Sequence, residues 1–197
     1  MPPDIPLSNS PFPLFRAWMD DAEKTEPSDP DAGCLATVDD DGLPDARVVL
    51  IRKVDENGFY FFTNYTSAKG QELETHPKAA INFHWKSQRR QVRVRGTVTK
   101  LPAAESDAYY QSRPIGNRIG AWASLQSRPL DDRETLVRRV AEFQEKFGDT
   151  PPRPDHWGGY CLSPRIIEFW QEGEARLHHR ITYERTGNIW LAIRLYP

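Results

Sequence analysis

The sequence predicts a mainly β fold with inserted helices (α+β), in which seven to nine mostly antiparallel strands close into a barrel or a split barrel. Short runs rich in β-branched and aromatic residues follow one another between residues 34 and 99, as is typical of strands. Turn-forming clusters at residues 39–42 (DDDG) and 55–58 (DENG) separate these runs and favour an antiparallel meander. Residues 91–99 alternate between valine and polar side chains, which indicates a strand with one buried face. A barrel buries such strands without exposed edges.

Each element is predicted from its local pattern. Residues 1–12 hold four prolines and no periodic pattern, so we expect a flexible N-terminal arm before a single domain at 13–197. Apolar residues at helical spacing predict a helix around residues 14–22; further helices are expected at 67–75, at 103–112 and from Asp131, with Glu134 as capping partner. The expected strands are residues 34–38, 47–54, 59–63, 79–85, 91–99, 160–162, 166–170, 176–183 and 189–195.

Composition excludes several classes of protein. The 197 residues carry a net charge of −2, without the basic excess of a nucleic-acid-binding protein. No apolar run reaches the length of a membrane span, and the N-terminus lacks the basic and apolar segments of a signal peptide. We therefore expect a cytoplasmic protein without nucleic-acid or membrane partners, with Cys34 and Cys161 as reduced, buried thiols. Cysteine and histidine are too scattered to predict a metal site.

A first group of cations surrounds one predicted strand and the helix that follows. The motifs GxGxxG and GxxxxGK[ST] are absent, so a nucleotide cofactor would need another kind of site. Arg47 and Arg52 flank the apolar run VVLI, and Lys69 lies in the first turn of a predicted helix, where backbone N–H groups and the helix dipole favour an anion. Such cations suit a phosphate; the alternative is that they are solvated surface charges.

A second group follows in the central helices. Tyr109 and Arg113 are four residues apart and face the same way on a helix, with Asn117 and Arg118 close behind. A tyrosine hydroxyl and a guanidinium can hold a second phosphate. An amphipathic surface helix would show the same spacing, so the pattern alone leaves both interpretations open.

A third group lies near the C-terminus. In the predicted strand 176–183, Arg176, His178 and Arg180 would share one face. Two arginines and a histidine on one face are unusual for a purely structural strand. The alternative is an exposed polar edge strand.

Taken in order, these residues resemble the pyridoxine/pyridoxamine 5'-phosphate oxidase family, from about residue 12 to residue 197. The resemblance rests on residues 47–51 (RVVLI), 62–64 (FTN), 67–69 (SAK), 90–92 (RQV), 119–122 (IGAW), 126–127 (QS), 157–159 (WGG), 168–170 (EFW) and 176–178 (RLH). It implies an FMN-binding split β-barrel that forms a homodimer through C-terminal strands, with FMN at the dimer interface. The implied reaction oxidises pyridoxine or pyridoxamine 5'-phosphate to pyridoxal 5'-phosphate, with O2 as acceptor and H2O2 as by-product.

The resemblance also implies residue roles. The residues that match FMN contacts are Arg47, Val48, Val49, Leu50, Ile51, Arg52, Phe62, Thr63, Lys69, Gln91, Gln126, Ser127, Trp170 and Arg180, with Arg47 and Lys69 on the FMN phosphate. The residues that match substrate contacts are Arg52, Tyr109, Arg113 and Asn117 on the substrate phosphate, and Arg176 and His178 beside the pyridine ring. Arg176 and His178 are thereby the implied catalytic pair, and no metal is implied.

The sequence departs from the common family pattern at four positions. Arg52 stands where lysine is frequent, Ala68 where arginine is frequent, Asn117 where serine is frequent, and His179 where aspartate is usual. Two other functions remain open. One is a related split-barrel flavin oxidase for another small aromatic substrate, as in phenazine pathways, although Tyr109 and Arg113 argue against a substrate without phosphate. The other is a non-catalytic protein that binds FMN or pyridoxal 5'-phosphate, which only His179 favours.

Overall fold

The computed structural model describes residues 4–197 and consists of one curled sheet with five helices around it. The helices are α1 (Phe12–Thr25), α2 (Ala68–Thr75), α3 (Ala103–Ser112), α4 (Ile115–Ala123) and α5 (Arg133–Phe147). The strands are β1 (Ala32–Val38), β2 (Pro44–Leu50), β3 (Lys53–Asp55), β4 (Gly58–Asn64), β5 (Lys78–Trp85), β6 (Arg90–Lys100), β7 (Trp157–Gln171), β8 (His179–Thr186) and β9 (Ile189–Leu195). The predicted mainly β fold with inserted helices is confirmed.

The sheet is antiparallel throughout and closes on itself only in part. Its strand order is β2-β1-β5-β6-β7-β4-β3, and β8 and β9 extend it beside β7. The long strand β7 pairs with β4 through its first half and with β8 through its second half, while β6 runs along its other edge. Strand β2 leads directly into β3 at the opposite end of the strand order, so the sheet curls into a split barrel.

The core fills the inside of this curl. In β6 the side chains of Val92 and Val94 are fully buried, whereas Arg93 and Arg95 are exposed, which confirms the predicted alternation. Helix α1 covers one end of the barrel, where Phe15 packs edge-on against Phe59 with ring centroids 5.0 Å apart. Burial of aromatic side chains of this size supplies a large part of a domain's stability.

Two predicted strands have different bounds in the structure. The predicted strand 47–54 is interrupted at residues 51–52, because the backbone N–H of Ile51 bonds to Asp31 and that of Arg52 bonds to Tyr60. The two predicted strands 160–162 and 166–170 are parts of β7, with a register shift opposite Arg95 and Gly96. A bulge of this kind accommodates Pro164, which has no backbone N–H to donate.

The predicted strand 176–183 begins only at His179. Arg176 instead ends a short 3-10 turn, Glu174–Arg176, and both Ala175 (φ 52°) and Arg176 (φ 65°) adopt left-handed backbone conformations. The prediction that Arg176 shares a strand face with Arg180 is therefore wrong.

Helix α4 was not among the predicted elements, although Pro114 at its N-cap is a helix-start signal.

The N-terminal arm is anchored where the structure describes it. Ile5 is 2% exposed and belongs to the main hydrophobic core, and Asp4 forms an ion pair with Arg194 of β9 at 2.7 Å. Residues 4 and 5 therefore do not form the loose arm that the proline content predicts.

Of the two cysteines, Cys161 is buried as predicted, but Cys34 is exposed, so the prediction for Cys34 is wrong.

Ile5→Ala is expected to lower the free energy of unfolding by about 2–4 kcal/mol, because it leaves a cavity in a packed core. The measurement is urea denaturation followed by tryptophan fluorescence. Leu7→Ala is the matched control: Leu7 is 52% exposed, so its removal should change the stability by less than about 0.5 kcal/mol. Equal losses for the two variants would contradict the anchoring role of Ile5.

Candidate functional site

A cavity of about 850 Å³ opens between β2, β4 and the helices α2 to α4. Twelve of the residues predicted to bind cofactor or substrate line it: Arg47, Val48, Val49, Leu50, Arg52, Phe62, Thr63, Lys69, Tyr109, Arg113, Asn117 and Gln126. Ser112, Pro114 and Trp157 complete the lining. Residues from six separate parts of the chain thus meet in one cavity of a size usual for small-molecule sites.

Lys69 provides a buried cation at one end of the cavity. It lies in the first turn of α2, whose N-cap residue Ser67 accepts a hydrogen bond from the backbone N–H of Gly70 at 3.3 Å. Lys69 is 7% exposed, and its Nζ contacts Ser67 Oγ at 3.5 Å. Burial, together with the charge of Arg47, lowers the pKa of Lys69. Within residues 4–197 Lys69 forms no ion pair, so its charge is available to an anion.

Arg47 lies beside Lys69 but is already held by carboxylates. Its Nη2 pairs with Glu72 at 3.0 Å and also with Asp45, and its Nη1 donates to the hydroxyl of Thr37. The buried Glu72 in turn accepts a hydrogen bond from Thr37. The guanidinium of Arg47 therefore has a fixed orientation but a partly neutralised charge, in contrast to Lys69.

Arg113 provides a second cation in the same cavity. Its guanidinium lies over the ring of Trp157, 4.6 Å from the centroid, and its Nη1 is buried without a hydrogen-bond partner in the described structure. Burial lowers the pKa of Arg113, and the positive charge of Arg52 acts in the same direction. Arg52 itself pairs with Asp31 at 3.0 Å. The cavity thus holds two regions of positive charge, one around Lys69 and one around Arg113.

Gln126 ties the segment after α4 to strand β4. Its Oε1 accepts hydrogen bonds from Thr63 Oγ1 at 3.1 Å and from the backbone N–H of Asn64 at 3.3 Å. These two bonds fix the Gln126 side chain in the lining of the cavity. Its neighbour Ser127 has a left-handed backbone (φ 70°) and does not line the cavity.

The remaining predicted site residues lie outside this cavity. Gln91, Trp170 and Arg180 form one row across β6, β7 and β8, because Gln91 pairs with Trp170 and Trp170 pairs with Arg180. The ring of His178 packs against Trp170 at 4.6 Å, and Arg176 ends the exposed turn that precedes β8. These five residues form a second group, which we call the β7–β8 group. Ile51 belongs to neither set, since it is buried in the core.

Glu168 holds Arg180 of the β7–β8 group in place. Its carboxylate accepts two hydrogen bonds from Arg180, at 3.1 and 2.9 Å, and another from Arg93 at 2.5 Å. The Glu168 side chain is only 6% exposed, and a buried carboxylate of this kind requires such partners. Arg180 is consequently fixed on the outer face of the sheet.

The outer face of the sheet carries Val48 of the cavity together with Gln91, Trp170 and Arg180 of the β7–β8 group. Directly paired residues lie on the same face, and the register Val48–Cys34–Asn82–Arg93–Glu168–Thr182–Ile193 runs across seven of the nine strands, from β2 to β9. Val48 of the cavity and Arg180 of the β7–β8 group therefore point to the same side. Val48, Leu191 and Ile193 are exposed on this side by 68%, 49% and 46%, so apolar surface accompanies the polar groups.

Three lining residues were not predicted as site residues, and each had a signal in the sequence. Trp157 precedes two glycines, and Ser112 and Pro114 flank Arg113.

Within the described residues, no group of three or more His, Cys, Asp or Glu side chains is arranged to hold a metal ion. Of the helices at residues 4–197, none combines the length and the apolar character needed to cross a membrane.

Two family models match the chain. The model described as pyridoxamine 5'-phosphate oxidase matches residues 19–147, and the model described as the pyridoxine 5'-phosphate oxidase C-terminal dimerisation region matches residues 157–197. Three relatives named pyridoxine/pyridoxamine 5'-phosphate oxidase are similar over nearly their full lengths. The protein of Caulobacter vibrioides is 53% identical, and the match covers 100% of this chain and 89% of the relative. The protein of Chelativorans sp. is 54% identical, with 98% of this chain and 94% of the relative covered. The protein of Brucella canis is also 54% identical, with 98% of this chain and 97% of the relative covered.

Solved structures agree with these matches. PhzG from Burkholderia lata, in complex with tetrahydrophenazine-1-carboxylic acid, superimposes with a TM-score of 0.91 at 34% identity, over 96% of this chain and 94% of its own. An FMN-binding protein of Nostoc punctiforme related to pyridoxamine 5'-phosphate oxidase has a TM-score of 0.78 at 20% identity, and the match covers 97% of this chain and 100% of that protein. At this identity the likeness supports the fold alone. From the family models and the relatives together, the chain belongs to the pyridoxamine 5'-phosphate oxidase family.

Proposed function

We propose that the protein is a cytoplasmic, FMN-dependent oxidase that converts pyridoxine or pyridoxamine 5'-phosphate into pyridoxal 5'-phosphate, with O2 as acceptor and H2O2 as by-product. Bound FMN would supply the redox chemistry, by accepting two electrons from the substrate and passing them to O2. One observation carries the proposal: a single cavity holds two separate cationic regions, around Lys69 and around Arg113. Two phosphorylated ring molecules, a cofactor and a substrate, require such a pair of regions.

The Lys69 end of the cavity fits the phosphate of FMN. Lys69 is a buried ammonium group without a carboxylate partner in the described structure, at the start of a helix whose dipole favours an anion. A phosphate dianion would compensate the cost of burying this charge. Arg47, held beside it by Glu72, would add an oriented guanidinium. The apolar side chains of Val48 to Leu50 provide a wall for the ring system.

The Arg113 end fits the phosphate of the substrate. Arg113, Arg52, Tyr109 and Asn117 line this end together, and guanidinium groups bind phosphate through paired N–H donors. Because the Nη1 of Arg113 has no partner within the described chain, it can donate to a ligand without first breaking a protein hydrogen bond. A substrate that lacks a phosphate would leave this cation buried and uncompensated.

We propose that two copies of the chain complete each site. The β7–β8 group of one copy would cover the cavity of its partner, where Arg176 and His178 would meet the substrate ring. The C-terminal dimerisation model matches residues 157–197, which contain four of the five residues of this group. Exposed apolar side chains on β9, including Leu191 and Ile193, support burial of this face against a second copy.

A second candidate function comes from the likeness to PhzG, whose structure holds a tetrahydrophenazine-1-carboxylic acid. In this alternative the protein oxidises a larger aromatic carboxylic acid that carries no phosphate. The Arg113 end argues for the first candidate, because Arg113, Arg52, Tyr109 and Asn117 together offer more hydrogen-bond donors than a single carboxylate requires. The two candidates share the cofactor, so only the substrate separates them.

Steady-state turnover in air separates the candidates. The FMN-loaded protein is supplied with pyridoxine 5'-phosphate, pyridoxamine 5'-phosphate, pyridoxine or tetrahydrophenazine-1-carboxylic acid, and H2O2 formation is recorded. We expect turnover of the two phosphorylated vitamers at kcat/KM values at least about 100-fold above that for pyridoxine, since charge-assisted hydrogen bonds to the phosphate are lost without it. Turnover of the phenazine precursor alone would establish the second candidate, and turnover of none would contradict both.

FMN affinity is expected to fall at alkaline pH because of Lys69. In the free protein the pKa of Lys69 lies below its ordinary value, whereas a bound phosphate stabilises the ammonium form and raises this pKa again. Above about pH 7, where the FMN phosphate is a dianion, affinity is therefore constant up to the lowered pKa of Lys69 and declines as the pH rises from it towards about 10.4. The measurement is the FMN dissociation constant from flavin fluorescence at each pH.

Lys69→Arg is the control for this pH dependence. Its guanidinium remains charged over the whole range, so the decline that belongs to Lys69 should be missing from this variant. Identical pH profiles for the two proteins would contradict the assignment of Lys69 to the phosphate.

A further inference from the structure

The segment Trp157–Gly159 forms the floor under Arg113. Trp157 is the first residue of β7, is 6% exposed and lines the cavity. Its backbone carbonyl accepts a hydrogen bond from Arg153 Nη1 at 2.7 Å, and Arg153 also pairs with Asp107 of α3 at 2.6 Å. The backbone of Trp157 is thus linked through Arg153 to α3, which fixes the start of β7 beside the cavity.

Arg113 is held by this ring rather than by an acidic partner. Its guanidinium lies 4.6 Å from the centroid of Trp157, within the range of a cation–π interaction. Among residues 4–197 its side chain forms no ion pair, and its Nη1 is buried without an acceptor. Arg47 in the same cavity pairs with two carboxylates. An aromatic face orients a guanidinium without occupying its N–H donors, so those donors remain free for an anion.

The glycine at position 159 makes room for the stack that supports Trp157. A Cβ atom there would lie 2.7 Å from the ring of Phe62. The Phe62 ring stacks on Trp157 at 5.7 Å and on Tyr109 at 3.7 Å. Phe62, Tyr109 and Trp157 therefore form one layer of nearly parallel rings, and Arg113 rests on its Trp157 end.

We propose that Trp157 is a positioning residue that holds the guanidinium of Arg113 ready for the phosphate of the substrate. The inference rests on the proposed function in so far as that function assigns Arg113 to the substrate phosphate. Trp157 acts through Arg113, so its removal should weaken binding of phosphorylated ligands and leave the FMN phosphate site around Lys69 unaffected.

A double-mutant cycle tests this coupling on the FMN-loaded protein. Binding of pyridoxal 5'-phosphate and of pyridoxal is measured by calorimetry for the wild-type protein, Trp157→Leu, Trp157→Phe, Arg113→Met and both double variants. For pyridoxal 5'-phosphate we expect a loss of about tenfold for Trp157→Leu and about threefold for Trp157→Phe, which keeps a weaker aromatic face. Affinity for pyridoxal should stay within twofold, and in the Arg113→Met background neither Trp157 substitution should have a further effect.

FMN content and the melting temperature show whether each variant folds, and Trp157→Phe carries the test if Trp157→Leu does not fold. Trp190→Leu is the matched control, because the ring of Trp190 in β9 also lies under an arginine: the guanidinium of Arg185 in β8 is 5.8 Å from its centroid. The affinity of Trp190→Leu for pyridoxal 5'-phosphate should equal that of the wild type. The proposal is overturned by equal losses for both ligands, by an effect that persists without Arg113, or by wild-type affinity in Trp157→Phe. If the protein binds pyridoxal 5'-phosphate with this coupling but oxidises neither vitamer, the proposed function fails and the role of Trp157 stands.

Discussion

Replacing Lys69 by methionine is expected to weaken FMN binding by about 100-fold, because hydrogen bonds to a charged group contribute about 1.5–3 kcal/mol each and a tenfold change corresponds to about 1.4 kcal/mol. Lys69 has no carboxylate partner in the described structure, and its Nζ contacts only Ser67 Oγ among the described residues. Arg47 cannot take over, because Glu72 and Asp45 already share its guanidinium. The protein should therefore be purified largely without yellow colour.

The measurement is the FMN dissociation constant of the apoprotein, with turnover recorded at saturating FMN. Methionine keeps the length and apolar character of the lysine stem, so the fold should persist and turnover at saturation should remain within a few-fold of the wild type. Lys78→Met is the control, since Lys78 is exposed at the start of β5. If Lys69→Met retained FMN as tightly as the control, the assignment of this end of the cavity would be wrong.

Replacing Arg176 by alanine is expected to give the opposite result: a loss of turnover of about 100-fold or more, with FMN still bound. In the proposed dimer Arg176 reaches the substrate ring, where a positive charge stabilises developing negative charge, and removal of one such donor costs about 100- to 1,000-fold in rate. Its left-handed backbone (φ 65°), next to Ala175 at φ 52°, is uncommon for residues other than glycine and points to a functional constraint.

Arg185→Ala is the control for Arg176, because Arg185 is an exposed arginine elsewhere on the C-terminal strands. Its turnover should match the wild type. The discriminating quantity is the ratio of the kcat loss to the change in FMN affinity. A variant of Arg176 that lost FMN and turnover in parallel would contradict a role at the substrate ring.

The barrel and the cavity could be predicted from the sequence to different extents. The alternation of Val92 and Val94 with arginines predicted β6 directly, because side-chain direction in a strand depends only on local position. Lys69 was predicted to lie at a helix start for a similar local reason, and α2 begins at Ala68. Local patterns did not predict the interruption at residues 51–52, which depends on backbone bonds to Asp31 and Tyr60.

The division of the site into a cavity and the β7–β8 group could not be predicted from the sequence. It depends on which strands are neighbours, and on the pairing of Gln91 with Trp170 and of Trp170 with Arg180. The strand pattern at 176–183 placed Arg176 wrongly, because the turn that contains it has backbone angles that no periodicity indicates. The contact between Arg113 and Trp157 likewise joins residues 44 positions apart.

Anaerobic reduction of the bound flavin is the most direct test of the proposed oxidase function. The FMN-loaded protein is mixed with pyridoxine 5'-phosphate without O2, and the visible absorbance of the flavin is followed. We predict that the yellow colour bleaches with formation of one pyridoxal 5'-phosphate per flavin, and that admission of air restores the colour with release of H2O2. Flavin that stays oxidised with both pyridoxine and pyridoxamine 5'-phosphate would contradict the function proposed for this protein.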